Sequence, residues 1–180
     1  MAERFSQLSP ELSAWVEQQH LFFVASAAPE GYINLSPKGQ DSLRILSATE
    51  LLWLNLTGSG NETAAHLRES NRITMMWCAF AGPPRILRVY GNARTIHASD
   101  PEWQACAAIL PPPLGARQYF RVAIELVQTS CGYAVPMMDF REERAALTLW
   151  AEKKGAAGIE AYWEEKNTRS LDGKPTGMPD

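Results

Sequence analysis

The segment 57–63, TGSGNET, has the residue types of a loop that binds phosphate. Its two glycines leave backbone N–H groups accessible, and its three hydroxyl side chains add hydrogen-bond donors. The segment follows the apolar run 50–56 and precedes a helix predicted at about 61–70. The first N–H groups of a helix are free and the positive end of its dipole lies there, so the junction is expected to bind an anion.

Two nucleotide-binding motifs do not fit this junction. Gly58-x-Gly60-x-x-Thr63 ends in Thr where the dinucleotide fingerprint has Gly or Ala, and no Asp or Glu follows between Glu69 and Asp100 to hold a ribose. A P-loop would need Gly-Lys-Ser/Thr at the helix start, and this chain has no lysine there. The spacing Ser59-x-x-Glu62 is also that of a capping box, in which side chains of the protein satisfy the same donors. From these residues alone, a phosphate site and a helix cap both remain open.

Positive charge without nearby acid favours the phosphate site. Lys38 lies in LSPKG, and the acid-free stretch between Glu69 and Asp100 contains Arg72, Arg85, Arg88 and Arg94. Each arginine taken singly is more often a solvated surface residue. Their concentration in one stretch nevertheless suits a phosphorylated ligand.

The segments around the junction predict a mainly β, antiparallel fold. Short apolar runs separated by Pro, Gly, Asp and Ser predict strands at 21–27, 31–37, 43–47, 50–56, 72–80, 85–98 and 118–135. Gly91 inside the second strand of a long hairpin indicates a bulge or a barrel corner. We expect a single domain, residues 1–180, in which a small β-barrel carries peripheral helices.

Helices are predicted at both ends of the chain and before the last strand. Ser9 followed by Pro10 is a helix start, and Ser99 or Asp100 followed by Pro101 repeats that signature. The C-terminal segment 139–180 carries two amphipathic helical stretches and a Gly/Pro-rich tail.

Composition excludes several classes of function. The formal net charge of -3 gives no attraction to nucleic acid. The start of the chain lacks the apolar stretch of a signal peptide, and no uncharged apolar run approaches the roughly 20 residues of a membrane span. Cys78, Cys106 and Cys131 are widely spaced and have no metal-binding motif, so we expect reduced core thiols and no metal. These features predict a cytoplasmic protein without a membrane or nucleic-acid partner.

The segments FFVASA, INLSPKG, LNLTGSGNETAAHLRESNRITMMWCAF, GPPRILRVYG, TSCGYAVP and KNTRSLDGKP together resemble the FMN-binding split-barrel family, the pyridoxamine 5'-phosphate oxidase-like proteins. The resemblance covers nearly the whole chain. It implies a six-stranded antiparallel split barrel, assembled as a homodimer with FMN at the subunit interface. It also implies an FMN-dependent oxidoreductase acting on an unknown small molecule.

The resemblance assigns residues to the cofactor. Asn34, Ser36 and Lys38 are expected beside the isoalloxazine ring, and the segment beside the ribityl phosphate comprises Thr57, Ser59, Gly60, Asn61, Glu62 and Thr63. The chain departs from the family here, because the family's Arg-Lys pair at the helix start is replaced by Glu62-Thr63. The carboxylate is therefore expected to point away or to hold a backbone N–H, as in the capping box. Lys38, Arg72 or Arg88 would then neutralise the phosphate.

The resemblance says less about the substrate. Pyridoxamine phosphate oxidases have an Arg-x-His near the C-terminus, whereas this chain has no histidine after His97, so that activity is not expected. Candidate residues over the flavin are Ser130, Cys131, Tyr133, Arg169 and Asp172, and the candidate catalytic residues are Lys38, Cys131 and Tyr133. Lys38 would stabilise the reduced flavin by its charge. Cys131 and Tyr133 can equally be core residues.

Two other functions remain open. One is a flavin-, deazaflavin- or haem-binding carrier or sensor without turnover. The other is a dimeric interaction domain that has lost its cofactor. A dimer is also favoured by six tryptophans, which are more than a small barrel needs to bury.

Overall fold

An antiparallel sheet forms the body of the protein. The computed structural model describes residues 2–178, and within this range eight strands and four helices form. The strands are β1 (Glu3–Phe5), β2 (Phe22–Ser26), β3 (Asn34–Lys38), β4 (Leu43–Ser47), β5 (Glu50–Leu56), β6 (Arg72–Cys78), β7 (Ile86–Ile96) and β8 (Ala116–Ser130). The helices are α1 (Pro10–Glu17), α2 (Glu62–Leu67), α3 (Trp103–Ile109) and α4 (Ala146–Lys166).

The sheet is open between two strands that follow each other in the chain. Its order is β3-β2-β6-β7-β8-β5-β4, with β1 paired to β8, so β3 and β4 form the two edges. The prediction of a mainly β, antiparallel fold is confirmed. The six strands implied by the resemblance are too few, because eight form within residues 2–178, and seven of them are the segments that the patterns predict. The strand that the patterns missed is β1, whose three residues are too few for an alternation to show.

Two cores lie on opposite faces of β5. The larger contains Trp53 and Phe120, whose ring centroids are 4.6 Å apart, together with residues of α1. The smaller contains Leu54 and Tyr119 and is covered by α3. Successive side chains of a strand point to opposite faces, and both faces of β5 are buried, so its sequence is continuously apolar from Leu51 to Leu54. Asn55 shares a face with Trp53.

The predicted start of α1 is confirmed, whereas that of α3 is wrong. Ser9 caps α1 as expected, since its hydroxyl accepts the N–H of Leu12 at 3.1 Å. The predicted cap of α3 is wrong, because that helix begins only at Trp103 and the Asp100 carboxylate instead accepts the N–H of His97. The C-terminal helices form as two pieces within α4, separated by Gly155 at a φ of 65°.

Gly91 marks a bulge, as predicted. The register between β7 and β8 shifts between Tyr90 and Gly91. A Cβ at this position would overlap the carbonyl oxygen of Ala123, so only glycine permits this approach of the two strands. Strands β7 and β8 therefore stay paired on both sides of the bulge.

Residues 2–178 contain neither a membrane-spanning helix nor a cluster of metal ligands. No helix in this range is long and apolar enough to cross a membrane. The same range contains no cluster of three or more His, Cys, Asp or Glu side chains that could hold a metal ion.

Candidate anion-binding site

A polar cleft of about 510 Å³ lies between β3, the segment 58–63, the start of β8 and the C-terminal end of α4. Its volume is in the usual range for small-molecule sites. The predicted residues that line it are Asn34, Ser36, Lys38, Ser59, Gly60, Asn61, Glu62, Thr63 and Arg169. A larger cavity of about 980 Å³ lies beneath the segment 140–148 and contains none of the predicted residues. Most of the predicted cofactor-binding residues therefore line the smaller of these two cavities.

Strand β3 presents a row of polar side chains to the cleft. Asn34, Ser36 and Lys38 are partly buried, whereas the intervening Leu35 and Pro37 are exposed. This alternation follows from the period of two along a strand. Pairing with β2 places Lys38 opposite Phe22 and thus fixes the register of the row.

Hydrogen bonds tie this row to α2. Asn34 accepts a bond from the Ser36 hydroxyl at 3.0 Å and donates through Nδ2 to the Thr63 hydroxyl at 3.2 Å. Thr63 also lies 3.2 Å from the hydroxyl of Ser26, which lies 3.0 Å from Nδ1 of the buried His66. The orientation of Asn34 is thus set by a chain of buried hydroxyl groups.

Arg117 is a cleft residue that the sequence reasoning missed. It lies at the start of β8, is 5% exposed, and donates through Nη1 to the Gly60 carbonyl and to Asn167 Oδ1, both at 2.8 Å. Burial lowers its pKa to about 10. Burial, and then the charge of Arg117, lowers the pKa of Lys38 to about 8. Within residues 2–178 no ion pair involves either cation.

Cations outnumber carboxylates around the cleft. Among its described lining residues the cations are Lys38, Arg117, Lys166 and Arg169, and the carboxylate is that of Glu62. Both oxygens of Glu62 accept the backbone N–H of Leu171, at 3.1 and 3.0 Å. The cleft thus has an excess of positive charge, and its one carboxylate is engaged by the C-terminal segment.

The capping box predicted for Ser59 and Glu62 does not form. Helix α2 begins at Glu62, its N-cap residue is Asn61, and the Asn61 side chain makes no capping bond. The carboxylate of Glu62 instead lies over Gly60, where a Cβ would come within 2.7 Å of it. A long-range bond to Leu171 therefore replaces the local one, although the expectation that Glu62 holds a backbone N–H is met.

Several buried polar atoms beside the cleft lack partners among the described residues. They are Asn55 Oδ1, Asn61 Nδ2, Gln118 Oε1 and Arg117 Nε. Such atoms are rare in folded proteins, because an unmet donor or acceptor loses its hydration without compensation. A polar ligand in the cleft would offer hydrogen-bond partners to Asn55 and Asn61, which line it.

The other predicted site residues lie elsewhere. Thr57 lies beneath the cleft, where its hydroxyl donates to the Gly115 carbonyl and accepts from Trp163 Nε1. Arg72 is exposed and bonds Ser70, and Arg88 bonds Ser130 on β8. This chain does not bring either arginine to the cleft.

The late candidate residues are divided between two places. Ser130, Cys131 and Tyr133 line a separate cavity of about 360 Å³, and Tyr133 is 83% exposed. The interpretation of Cys131 as a core thiol is wrong, since it is exposed, whereas Cys78 and Cys106 are buried as expected. Arg169 lines the cleft, while the Asp172 carboxylate accepts the N–H of Tyr32.

The chain is similar to known proteins in both sequence and fold. The family model described as pyridoxamine 5'-phosphate oxidase matches residues 8–131. The pyridoxamine 5'-phosphate oxidase family protein ustO of Aspergillus flavus is 36% identical over 189 residues, covering 95% of this chain and 76% of that protein.

Two solved structures share the fold. A candidate pyridoxamine 5'-phosphate oxidase from Lactobacillus delbrueckii has a TM-score of 0.53 and 18% identity, over 68% of this chain and 94% of that one. HutZ of Vibrio cholerae, described as a haem storage protein, has a TM-score of 0.51 and 14% identity, over 71% and 98%. At these identities the two structures show the fold alone. The family match and the relative, however, both span most of the sequence, so this chain belongs to the pyridoxamine 5'-phosphate oxidase family.

Proposed function

We propose that the cleft binds FMN and that the protein is an FMN-dependent oxidoreductase. One observation carries this proposal: Lys38 and Arg117 are cations withdrawn from water that line one cleft without a carboxylate partner in residues 2–178. Burying unpaired charge is costly, so such a pair favours an anionic ligand that neutralises it. Helix α2 has only six residues, so its dipole is a minor contribution beside these two charges.

The remaining lining residues fit the other parts of FMN. Asn55 Oδ1 and Asn61 Nδ2, which have no partner among the described residues, would bond a polyhydroxyl chain such as the ribityl group. Asn34 and Ser36 on β3 would offer donors and acceptors to the polar edge of a ring. The donor set thus suits a ligand with phosphate, hydroxyl and ring-amide groups.

When bound, FMN would supply the electron-transfer chemistry, while the protein orients it and tunes its charge. Lys38 would hold a positive charge at Nζ and stabilise negative charge nearby. Because its pKa is about 8, Lys38 keeps its proton at pH 7 but releases it far more readily than an exposed lysine. Pyridoxamine 5'-phosphate oxidation itself is not part of the proposal, because the chain has no histidine after His97.

The lining residues favour flavin over haem. Haem iron takes an axial ligand from His, Cys, Met or Tyr. None of the described residues lining the cleft is of these types. His66, on the neighbouring helix, is buried against Ser26.

Absorbance and mass spectrometry of the purified protein, followed by FMN titration, test the proposal. We expect flavin fluorescence to be quenched on binding and NADH or NADPH to reduce the bound flavin faster than free flavin. A colourless protein with no response to FMN would overturn cofactor binding and favour an interaction domain. Binding without any faster reduction or reoxidation would overturn only the enzymatic proposal and favour a carrier or sensor.

We also propose a homodimer with FMN near its interface. The edge strand β3 and the residues before it expose Tyr32, Ile33 and Leu35, at 70%, 77% and 64%. An exposed apolar edge beside a ligand cleft suits burial against a second copy. Light scattering during gel filtration should give twice the chain mass; a monomer that binds FMN fully would contradict the dimer.

Replacing Glu62 with glutamine is expected to strengthen FMN binding about two- to fivefold, because it removes a negative charge beside the phosphate. The glutamine oxygen can still accept the N–H of Leu171. Fluorescence titration measures the change, and Glu69→Gln, outside the cleft and paired with Lys174, is the matched control. Weaker binding in Glu62→Gln would mean that the carboxylate supports the cofactor.

A further inference from the structure

Asn167 connects the C-terminal segment to the cleft. It follows α4 directly and is fully buried. Its Oδ1 accepts Arg117 Nη1 at 2.8 Å, and its Nδ2 donates to the Gly58 carbonyl at 3.1 Å. One side chain thus holds both the buried guanidinium and the glycine loop.

The chain after Asn167 folds back to anchor it. The Thr176 hydroxyl donates to the Asn167 carbonyl at 2.7 Å, and the Thr176 N–H donates to the Thr168 carbonyl at 3.0 Å. Arg169 and Pro175 form a bridge within this turn. The position of Asn167 therefore depends on the folded C-terminal segment.

The hydrogen bond from Arg117 to Asn167 orients the guanidinium without neutralising its charge. An asparagine orients a guanidinium by hydrogen bonding but leaves its charge uncompensated, whereas an aspartate would neutralise it. Arg117 uses Nη1 for both of its protein acceptors, and its Nε has no partner among the described residues. The guanidinium is thus fixed in direction, and its charge remains uncompensated for a ligand.

We propose that Asn167 is a positioning residue that aims Arg117 at the phosphate of the cofactor and holds the glycine loop in place. The segment after α4 is then part of the anion site. This inference rests on the proposed binding of FMN in the cleft.

The test compares FMN with riboflavin, which lacks the phosphate. Dissociation constants are measured by flavin fluorescence for the wild type, Asn167→Ala, Arg117→Met and the double variant. We expect Asn167→Ala to weaken FMN binding about tenfold or more, the usual worth of a hydrogen bond to a charged group. Riboflavin binding should change less than about twofold. In the double variant the loss of FMN affinity should be smaller than the product of the two single losses, because Asn167 acts mainly through Arg117.

Controls separate positioning from a general structural role. Asn71→Ala replaces an exposed asparagine and should change neither constant. Asn167→Asp keeps the side-chain shape but sets a carboxylate against Arg117, so it too should lose the preference for FMN. Equal weakening of FMN and riboflavin binding in Asn167→Ala would overturn the positioning role. So would an unchanged preference for FMN over riboflavin in Asn167→Ala or Asn167→Asp, if Arg117→Met loses that preference. A wild type with no preference for FMN would overturn the proposed phosphate site itself.

Discussion

Replacing Arg117 with methionine is expected to weaken FMN binding by about a hundredfold or more. Hydrogen bonds to a charged group contribute about 1.5–3 kcal/mol each, and the loss of two corresponds to at least this factor. Arg117 lines the cleft, has no ion-pair partner in residues 2–178, and lies against the loop 58–60. No other described arginine with this burial reaches the cleft.

The same substitution is expected to leave the ligand-free protein as stable as before, or more stable. A buried charge without a partner opposes folding, and burial already lowers the pKa of Arg117 to about 10. Methionine removes that penalty and fills much of the same space, although two neutral acceptors, on Gly60 and Asn167, lose a donor. Weaker binding at undiminished stability is expected of a residue that serves function at a cost to stability.

Fluorescence titration and urea unfolding without ligand measure the two effects. Arg121→Met is the matched control, because Arg121 lies on the same strand but is partly exposed and paired with Glu50. It should change FMN affinity less than about twofold, and its exposed ion pair should contribute less than about 1 kcal/mol to stability. Unchanged FMN affinity in Arg117→Met would remove the main support for the cofactor proposal.

The sequence predicts the sheet well because the strand signals are local. Strands β4 and β5 form at the residues expected, 43–47 and 50–56, and β3 presents the polar row that the resemblance assigned to the cofactor. Alternation and turn residues act within one strand, so they survive in the folded protein.

Arg117 could not be found in this way because long-range strand pairing positions it. Pairing of Leu56 with Ala116 brings the start of β8 beside the glycine loop. One sequence signal existed, since Arg117 also lies in an acid-free stretch, between Glu102 and Glu125. An acid-free stretch alone does not tell a cleft arginine from a surface one, because Arg72 and Arg88 also lie in such a stretch but outside the cleft. What distinguishes Arg117 is its place at the start of β8, beside the glycine loop.

Lys38 is expected to make FMN binding weaken as the pH rises through about 8. Burial, reinforced by the charge of Arg117, lowers its pKa to that value from the ordinary 10.5. The phosphate, whose second pKa is about 6, carries a constant charge in this range. Between the pKa of free Lys38 and its higher value beside the bound phosphate, affinity should fall by up to about tenfold per pH unit.

Substitutions of Lys38 test whether its titration causes the pH dependence of FMN binding. Lys38→Arg keeps its proton throughout, so its FMN affinity should be flat between pH 7 and pH 9.5. Lys38→Met should bind FMN weakly and without this pH dependence. Flavin fluorescence titration at several pH values measures all three proteins, and a flat wild-type profile would contradict the role of Lys38.

The stability of the ligand-free protein should change with pH in the opposite direction. Because the pKa of Lys38 is lower in the folded state than in the unfolded chain, the unfolded state binds more protons between about pH 8 and 10.5. The free energy of unfolding contributed by this group therefore rises over that window, as the folded protein is relieved of a buried charge. Urea unfolding with and without the Lys38→Met substitution separates this contribution from that of other groups. If FMN affinity falls while the free energy of unfolding rises with pH, Lys38 accounts for both changes. A general destabilisation of the fold at alkaline pH would instead lower both quantities.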